Sequence, residues 1–140
     1  MPRTILIAED SSSILITITK MLEFEGFHVL SAQNGRIALE ILETRVPDLI
    51  ITDIMMPYVD GYQLYEKVHK NPRLAGVPFI FLTAKATRKD IRIGKEMGVD
   101  DYFVKPFNSK DLLTLKTRDT AFLRLTCHLF SINFINAIRN

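Results

Sequence analysis

The sequence has few of the features that mark secreted or membrane-anchored proteins. Its 140 residues include a single cysteine, Cys127, which excludes an internal disulfide framework and a four-cysteine metal site. The apolar run near the N-terminus reaches the acidic pair Glu9-Asp10 too soon to form a signal peptide or a membrane span. We therefore expect a soluble protein that resides in the cytoplasm and makes no contact with a membrane.

Charge is divided unevenly between the two halves of the chain. Residues 1–70 contain 6 Lys/Arg against 10 Asp/Glu, whereas residues 71–140 contain 12 against 6. A basic excess can bind nucleic acid, but no stripe of basic and aromatic residues accompanies this one. We interpret the excess as solvated helix faces and predict no direct contact with nucleic acid.

Five short apolar runs alternate with longer segments of helical period. The runs are residues 5–8, 27–30, 49–51, 79–82 and 102–104. Because they are apolar on both faces and lie far apart in the chain, they predict parallel strands joined by crossover helices. The predicted fold class is α/β, with the sheet covered by helices on both sides.

Cap residues and glycines delimit the predicted helices. The first begins at Ser11 or Ser12, whose hydroxyls suit an N-cap, Asn34-Gly35 opens the second, and the third follows Asp60-Gly61. A basic helix is predicted over residues 87–97, closed by Gly98, and a last one from about Asn108. The inward face of the first helix is predicted to carry Ile14, Ile18, Met21 and Leu22.

Polar residues gather where the predicted strands end. Parallel strands share one carboxyl edge, and ligands of open α/β sheets bind there. The residues at this edge are Glu9, Asp10, Asp53, Thr83 and Lys105. Three carboxylates, one hydroxyl and one amine are therefore expected to lie close together.

The three carboxylates predict a hard divalent cation, because like charges at close range repel unless a cation offsets them. Oxygen ligands without histidine or cysteine favour Mg²⁺ over Zn²⁺. A carboxylate held in line with phosphorus can also act as a nucleophile and form an acyl phosphate. Asp53, directly after the third apolar run, is the predicted phosphoacceptor.

The motifs that carry these residues resemble the receiver domains of bacterial two-component response regulators. They are Ile7-Ala8-Glu9-Asp10, Asp53-Ile54-Met55-Met56-Pro57, Asp60-Gly61, Leu82-Thr83-Ala84 and Lys105-Pro106-Phe107. The resemblance implies a doubly wound, flavodoxin-like fold of three layers, with about five helices and a five-stranded parallel sheet in the order 2-1-3-4-5. It also implies that Asp53 takes a phosphoryl group from a histidine kinase or a phosphotransfer protein. Such a protein is a signalling phosphoacceptor that promotes its own phosphotransfer and dephosphorylation, not an enzyme acting on a separate substrate.

The resemblance also implies a role for each site residue. Asp10 and Asp53 would bind Mg²⁺ directly, the backbone carbonyl of Met55 would be a third ligand, and Glu9 would act through a water molecule. Thr83 and Lys105 would contact phosphoryl oxygens, and Thr83 with Tyr102 would form the switch that alters a partner-binding surface. Apart from that carbonyl, we expect the side chains of Met55 and Met56 to pack in the interior.

The resemblance covers about residues 3–113, with a final helix that can extend to about 120. Residues 114–140 form an atypical apolar tail. Three interpretations of it are open: a helix that binds a partner or a second copy, a segment that folds back onto the domain, or an end foreign to the family. A homodimer could form through this tail or through the fourth helix, fifth strand and fifth helix. The output, a downstream protein or a fused domain, is open as well.

Three rival functions remain at this point. A pseudo-receiver would keep the fold as an interaction module without accepting phosphate. A phosphohydrolase with an aspartate nucleophile needs a second acid two residues on, where this chain has Met55. A flavin or nucleotide binder is disfavoured because Glu9 and Asp10 occupy the loop where a phosphate would need amide donors.

Overall fold

The computed structural model describes residues 3–83, 92–93, 96–98 and 101–104, and of Thr83 and residues 101–104 it describes the backbone alone. Five strands lie within these residues, as the sequence predicts. They are β1 (Thr4–Ala8), β2 (His28–Ala32), β3 (Leu49–Asp53), β4 (Phe79–Thr83) and β5 (Asp101–Val104).

The strands form one parallel sheet in the order β2-β1-β3-β4-β5, which confirms the predicted topology. The register aligns Ala8 of β1 with Thr52 of β3, and Asp53 of β3 with Leu82 of β4. Because the strands are parallel and end at similar heights, the residues that follow them meet at one edge of the sheet.

Successive residues of the central strands point to opposite faces and enter separate apolar clusters. One cluster holds Ile5, Ile7 and Ile51 beneath the first helix. The other holds Leu6, Ala8 and the two phenylalanines of β4 beneath the second and third helices. The described chain therefore has the predicted three layers, a sheet between helices.

Three helices are described in full: α1 (Ser12–Phe24), α2 (Gly35–Leu42) and α3 (Gly61–Lys70). The second and third begin at the predicted places, and the structure adds side-chain caps there: Asn34 accepts from the Ile37 N–H at 2.8 Å, and Asp60 forms a capping box with Gln63. Within these residues no helix has the length and apolar character needed to cross a membrane.

Three expectations need correction. Ser11 occupies the cap position of α1, but its hydroxyl lies 3.2 Å from that of Ser13 and bonds no amide of the helix. The inward face of α1 is centred on Leu15, which is absent from the predicted face, while Ile14 is half-buried. Strand β2 is not apolar on both faces: it lies at the sheet edge, and His28 is exposed.

The predicted basic helix is described only near its end. Residues 92–93 and 96–97 are helical, and Gly98 follows with φ 89°, the left-handed conformation typical of a glycine that ends a helix. The start of this helix, the last helix and the tail at 114–140 lie outside the described residues. The domain limits at 3–113 stay a prediction.

Candidate functional site

Strand register brings two of the predicted acids side by side. Glu9 and Asp53 each follow a member of the Ala8–Thr52 pair, at the carboxyl edge of neighbouring central strands. The Glu9 N–H continues the ladder by donating to the Ala32 carbonyl oxygen at 3.0 Å. The position of Glu9 is thus set by the backbone of β2 as well as by β1.

Asp10 joins these two residues to form a compact acidic group. One carboxylate oxygen from each of Glu9, Asp10 and Asp53 lies within 4.8 Å of the others. Glu9 is 1% exposed and Asp53 is 8% exposed, whereas Asp10 is open to solvent. The group therefore consists of two buried carboxylates and one that is exposed to solvent.

Local hydrogen bonds orient the two buried carboxylates. The Ile54 N–H donates to Asp53 Oδ1 at 2.8 Å, and the Ser11 N–H approaches Glu9 Oε1 at 3.3 Å. Both donors are backbone amides just beyond the strand ends, where the sheet ladder no longer uses them. The loops after β1 and β3 therefore both orient a carboxylate through a backbone N–H.

The donor set fits a magnesium ion. All three groups are carboxylates, and oxygen ligands are those that Mg²⁺ prefers. Mg²⁺ usually retains several waters, and the exposed side at Asp10 leaves room for them. The acids predicted to bind the metal are therefore close enough together to share one cation.

The loop between β3 and α3 presents Met55 beside this group. The Gly61 N–H donates to the Ile54 carbonyl oxygen at 2.8 Å, which closes the loop behind Met55. Met56 is buried, with the Thr52 hydroxyl 3.9 Å from its sulfur, as expected. Met55 is 78% exposed, so the expectation that its side chain packs in the interior is wrong.

The same loop contains a tight turn that the sequence pattern did not reveal. The Val59 N–H donates to the Pro57 carbonyl oxygen at 2.9 Å, and Tyr58 between them has φ 69°. An i to i+2 bond around a positive φ is the pattern of a classic γ-turn, a rare and strained conformation. The guanidinium of Arg36 lies 4.8 Å from the Tyr58 ring centre and covers it. In the sequence, only Pro57 indicated a turn at this place.

The remaining predicted residues are described in part or not at all. Thr83 is the last residue of β4, the strand beside β3, and its backbone pairs with Val104. Tyr102 lies on β5, the strand beside β4, and its backbone pairs with Phe81. The side chains of Thr83 and Tyr102, and the whole of Lys105, lie outside the described residues.

The response regulator receiver domain family matches residues 5–116 of the chain. The chain belongs to this family, in agreement with the resemblance carried by its motifs. It is a response regulator receiver domain, a signalling protein.

Its curated relatives include transcriptional regulators. "Probable transcriptional regulator ycf27" of Galdieria sulphuraria is 42% identical over 108 residues, which cover 77% of this chain and 41% of the relative. "Alkaline phosphatase synthesis transcriptional regulatory protein PhoP" of Bacillus subtilis is 36% identical over 112 residues, which cover 80% and 46%. The chain thus spans about half the length of the curated relatives that it matches.

Solved receiver domains share its fold. The receiver domain of sensor histidine kinase PA1611 from Pseudomonas aeruginosa PAO1 superposes with a TM-score of 0.78 and 29% identity. The match covers 86% of this chain and 99% of that one. The PA1611 receiver domain was crystallised with a magnesium ion coordinated in its active site cleft.

Proposed function

We propose that this chain is a phosphoacceptor receiver domain in which Asp53 takes a phosphoryl group from the phosphohistidine of a histidine kinase or a phosphotransfer protein. The observation that carries the proposal is the meeting of three carboxylates, from Glu9, Asp10 and Asp53, at the carboxyl edge of a parallel sheet. Two of these acids are buried, and one carboxylate oxygen of each of the three lies within 4.8 Å of the others, which is not the arrangement of solvated charges at a strand end.

Asp10 and Asp53 would hold Mg²⁺ directly, with the backbone carbonyl of Met55 as a further ligand and Glu9 acting through water. When bound, the ion supplies positive charge that offsets the charge on the transferring phosphoryl oxygens. The buried position of Glu9, one methylene longer than an aspartate, suits an indirect role in which it orients a water and adds negative charge.

Asp53 performs the covalent step. A carboxylate oxygen of Asp53 attacks phosphorus, an O–P bond forms, and the P–N bond of the donor phosphohistidine breaks. The imidazole nitrogen keeps the bonding electron pair and leaves as neutral histidine once protonated. Hydrolysis of the acyl phosphate by water later restores the carboxylate. The domain thus assists its own phosphorylation and dephosphorylation.

Thr83 and Lys105 complete the proposed site. Thr83 ends β4, which lies beside β3, and Lys105 comes directly after β5 in the sequence, so both would supply groups to the edge where Asp53 lies. Each would contact a phosphoryl oxygen, and the added charge of about −1.5 to −2 would bias the pair Thr83 and Tyr102 between two arrangements. The surface around β5 would then bind a partner differently.

The proposed partners follow from this chemistry. The donor is a phosphohistidine protein in the cytoplasm, and the output acts through a downstream protein or a fused domain. Relatives of twice the length carry names of transcriptional regulators, so contact with nucleic acid would belong to such a domain and not to this one.

The test is phosphorylation by a small acyl phosphate donor in the presence of Mg²⁺, read by intact mass. We expect a gain of one phosphoryl group on the wild type and none on Asp53→Asn. Asp48→Asn is the matched control, because Asp48 precedes the same strand at its opposite end, where it accepts from the Thr4 N–H at 2.7 Å.

Asp48→Asn should be phosphorylated like the wild type, whereas Asp10→Asn should react only weakly. No mass gain on the wild type would identify the chain as a pseudo-receiver and overturn the proposal. An equal gain on Asp53→Asn would place the acceptor elsewhere and overturn it too.

A further inference from the structure

Helix α3 makes a polar contact far from the acidic group. The Tyr65 hydroxyl donates to the backbone carbonyl oxygen of Met97 at 2.6 Å, across 32 residues of sequence. Met97 is helical and Gly98 follows it with φ 89°, so this carbonyl belongs to the last turn of a helix. Carbonyls in a last turn have no partner within their own helix. The Tyr65 hydroxyl supplies one.

The ring that carries this hydroxyl is firmly held. Tyr65 is 7% exposed, and its ring meets the rings of Phe79 and Phe81 on β4 edge to face, at centroid distances of 5.0 and 6.3 Å. His69 stacks on the outer side at 5.5 Å. Moving the hydroxyl would require opening the packing between α3 and β4, which is costly in a dense core.

The first turn of the same helix packs tightly against the backbone of Asp53 and Ile54. A Cβ built on Gly61 would come within 2.8 Å of the Ile54 Cα and closer still to the Asp53 carbonyl oxygen. Tyr65 lies four residues after Gly61, one turn further along the buried face of α3. One rigid turn therefore joins the backbone of Asp53 to the carbonyl of Met97.

The apolar side chains that the structure describes around Met97 and Gly98 leave space between them. A cleft of about 180 Å³, lined in part by Val68, Val77 and Gly98, lies beside the Tyr65 ring. The Met97 side chain is only partly buried against the core. Among the described residues, the hydrogen bond from Tyr65 is therefore the directional contact that holds this carbonyl.

We propose that Tyr65 is a positioning residue, whose hydroxyl anchors the chain at Met97–Gly98, just before β5, at a fixed place relative to Asp53. The anchor is kept in both the unmodified and the phosphorylated protein, so the start of β5 does not move when Asp53 reacts. The statement about the phosphorylated protein rests on the proposed function, and that about the unmodified protein does not.

The sequence allows this anchor to be observed at a single site. Met97–Gly98 is the one Met-Gly pair in the chain. Protein labelled with ¹³C at methionine carbonyls and ¹⁵N at glycine therefore gives one carbonyl–amide correlation, which reports directly on the Met97 carbonyl. The ¹⁵N label also shows the other glycines, including Gly61 beside Asp53.

We expect Tyr65→Phe to move the Met97 carbonyl resonance upfield, as a carbonyl does when it loses a donor. Hydrogen exchange of the Gly98 amide should become about fivefold faster, the effect of losing one neutral hydrogen bond. Tyr58→Phe, which removes a hydroxyl from a tyrosine that is 73% exposed, is the matched control and should change neither. Unchanged Gly26 and Gly35 signals would establish that the variant is folded.

An unchanged carbonyl resonance in folded Tyr65→Phe would overturn the anchor. Addition of beryllofluoride with Mg²⁺ tests the second half of the proposal: in the wild type the Gly61 amide should shift while the Met97 carbonyl stays in place. A Met97 carbonyl that moves together with Gly61 would overturn the claim that the anchor persists. A Gly61 amide that does not respond would instead count against the proposed function, and would leave the anchor in the unmodified protein standing on its own result.

Discussion

Gly61, the first residue of α3, lies directly on the backbone of Asp53. Its N–H donates to the Ile54 carbonyl oxygen at 2.8 Å, and a side chain at this position would collide with both Asp53 and Ile54. The third helix can begin where it does only because residue 61 has no Cβ. The backbone of Asp53 and the start of α3 are therefore packed as one unit.

We predict that Gly61→Ala destabilises the protein by about 2 kcal/mol, because the added methyl group meets backbone that cannot give way. Urea unfolding would measure the loss. Gly76→Ala is the control, since a Cβ there meets nothing within 4 Å, and it should change stability by less than about 0.5 kcal/mol. Equal effects of the two substitutions would show that the contact with Asp53 is not tight.

Glu9→Gln should have opposite effects with and without metal. Removing one of three clustered negative charges relieves repulsion, so the metal-free protein should gain about 1 kcal/mol of stability. The same change weakens the attraction for Mg²⁺, and we expect affinity to fall about tenfold. Thermal unfolding in EDTA and across a Mg²⁺ titration gives both quantities.

Glu40→Gln, an exposed change on α2, serves as the charge-matched control and should leave the Mg²⁺ titration unaltered. A Glu9→Gln protein that binds Mg²⁺ as tightly as the wild type would remove Glu9 from the site.

The capping box of α3 predicts a graded series at Asp60. Its carboxylate accepts from the Gln63 N–H at 2.8 Å, and the Gln63 side chain accepts from the Asp60 N–H at 3.0 Å. Asp60→Ala should cost about 1 kcal/mol in urea unfolding, whereas Asp60→Asn, which keeps an oxygen acceptor, should cost a few tenths. A loss as large for asparagine as for alanine would assign the effect to charge instead of capping.

The turn at Tyr58 predicts a stabilising substitution. Tyr58→Gly relieves a left-handed φ of 69°, worth about 1 kcal/mol, but loses the contact with Arg36, worth about 0.5 kcal/mol. The gain should therefore be larger when Tyr58→Gly is made in an Arg36→Ala background. A double-mutant cycle by urea unfolding measures the difference, and additive effects would mean that the cation and the ring do not interact.

Much of the acidic group could be predicted from the sequence for a simple reason. Glu9 directly follows one short strand that is apolar on both faces and Asp53 ends another, and parallel strands put their carboxyl ends at one edge. Chain order and strand type thus sufficed to bring these two acids together. The starts of α2 and α3 were predicted at Asn34-Gly35 and Asp60-Gly61, whereas the capping bonds of Asn34 and Asp60 came from the structure.

Errors arose where the local sequence is compatible with more than one arrangement of a side chain. Ser11 has the right side chain for a cap, yet its hydroxyl pairs with Ser13. Met55 is as apolar as Met56, but the turn that closes behind it leaves it outside the interior. The residue type is the same whether Ser11 caps the helix or pairs with Ser13, and whether Met55 is buried or exposed. The sequence pattern could therefore not distinguish these arrangements.

Periodicity and chain order were enough to predict the class of fold and the acids that gather at one edge of the sheet, and the family motifs implied the strand order. The contacts of Gly61 with Asp53, of Arg36 with Tyr58 and of Tyr65 with Met97 could be recognised only in the folded chain. These contacts join residues from different elements, and their existence depends on how those elements are placed to within about an ångström, the scale on which close packing discriminates.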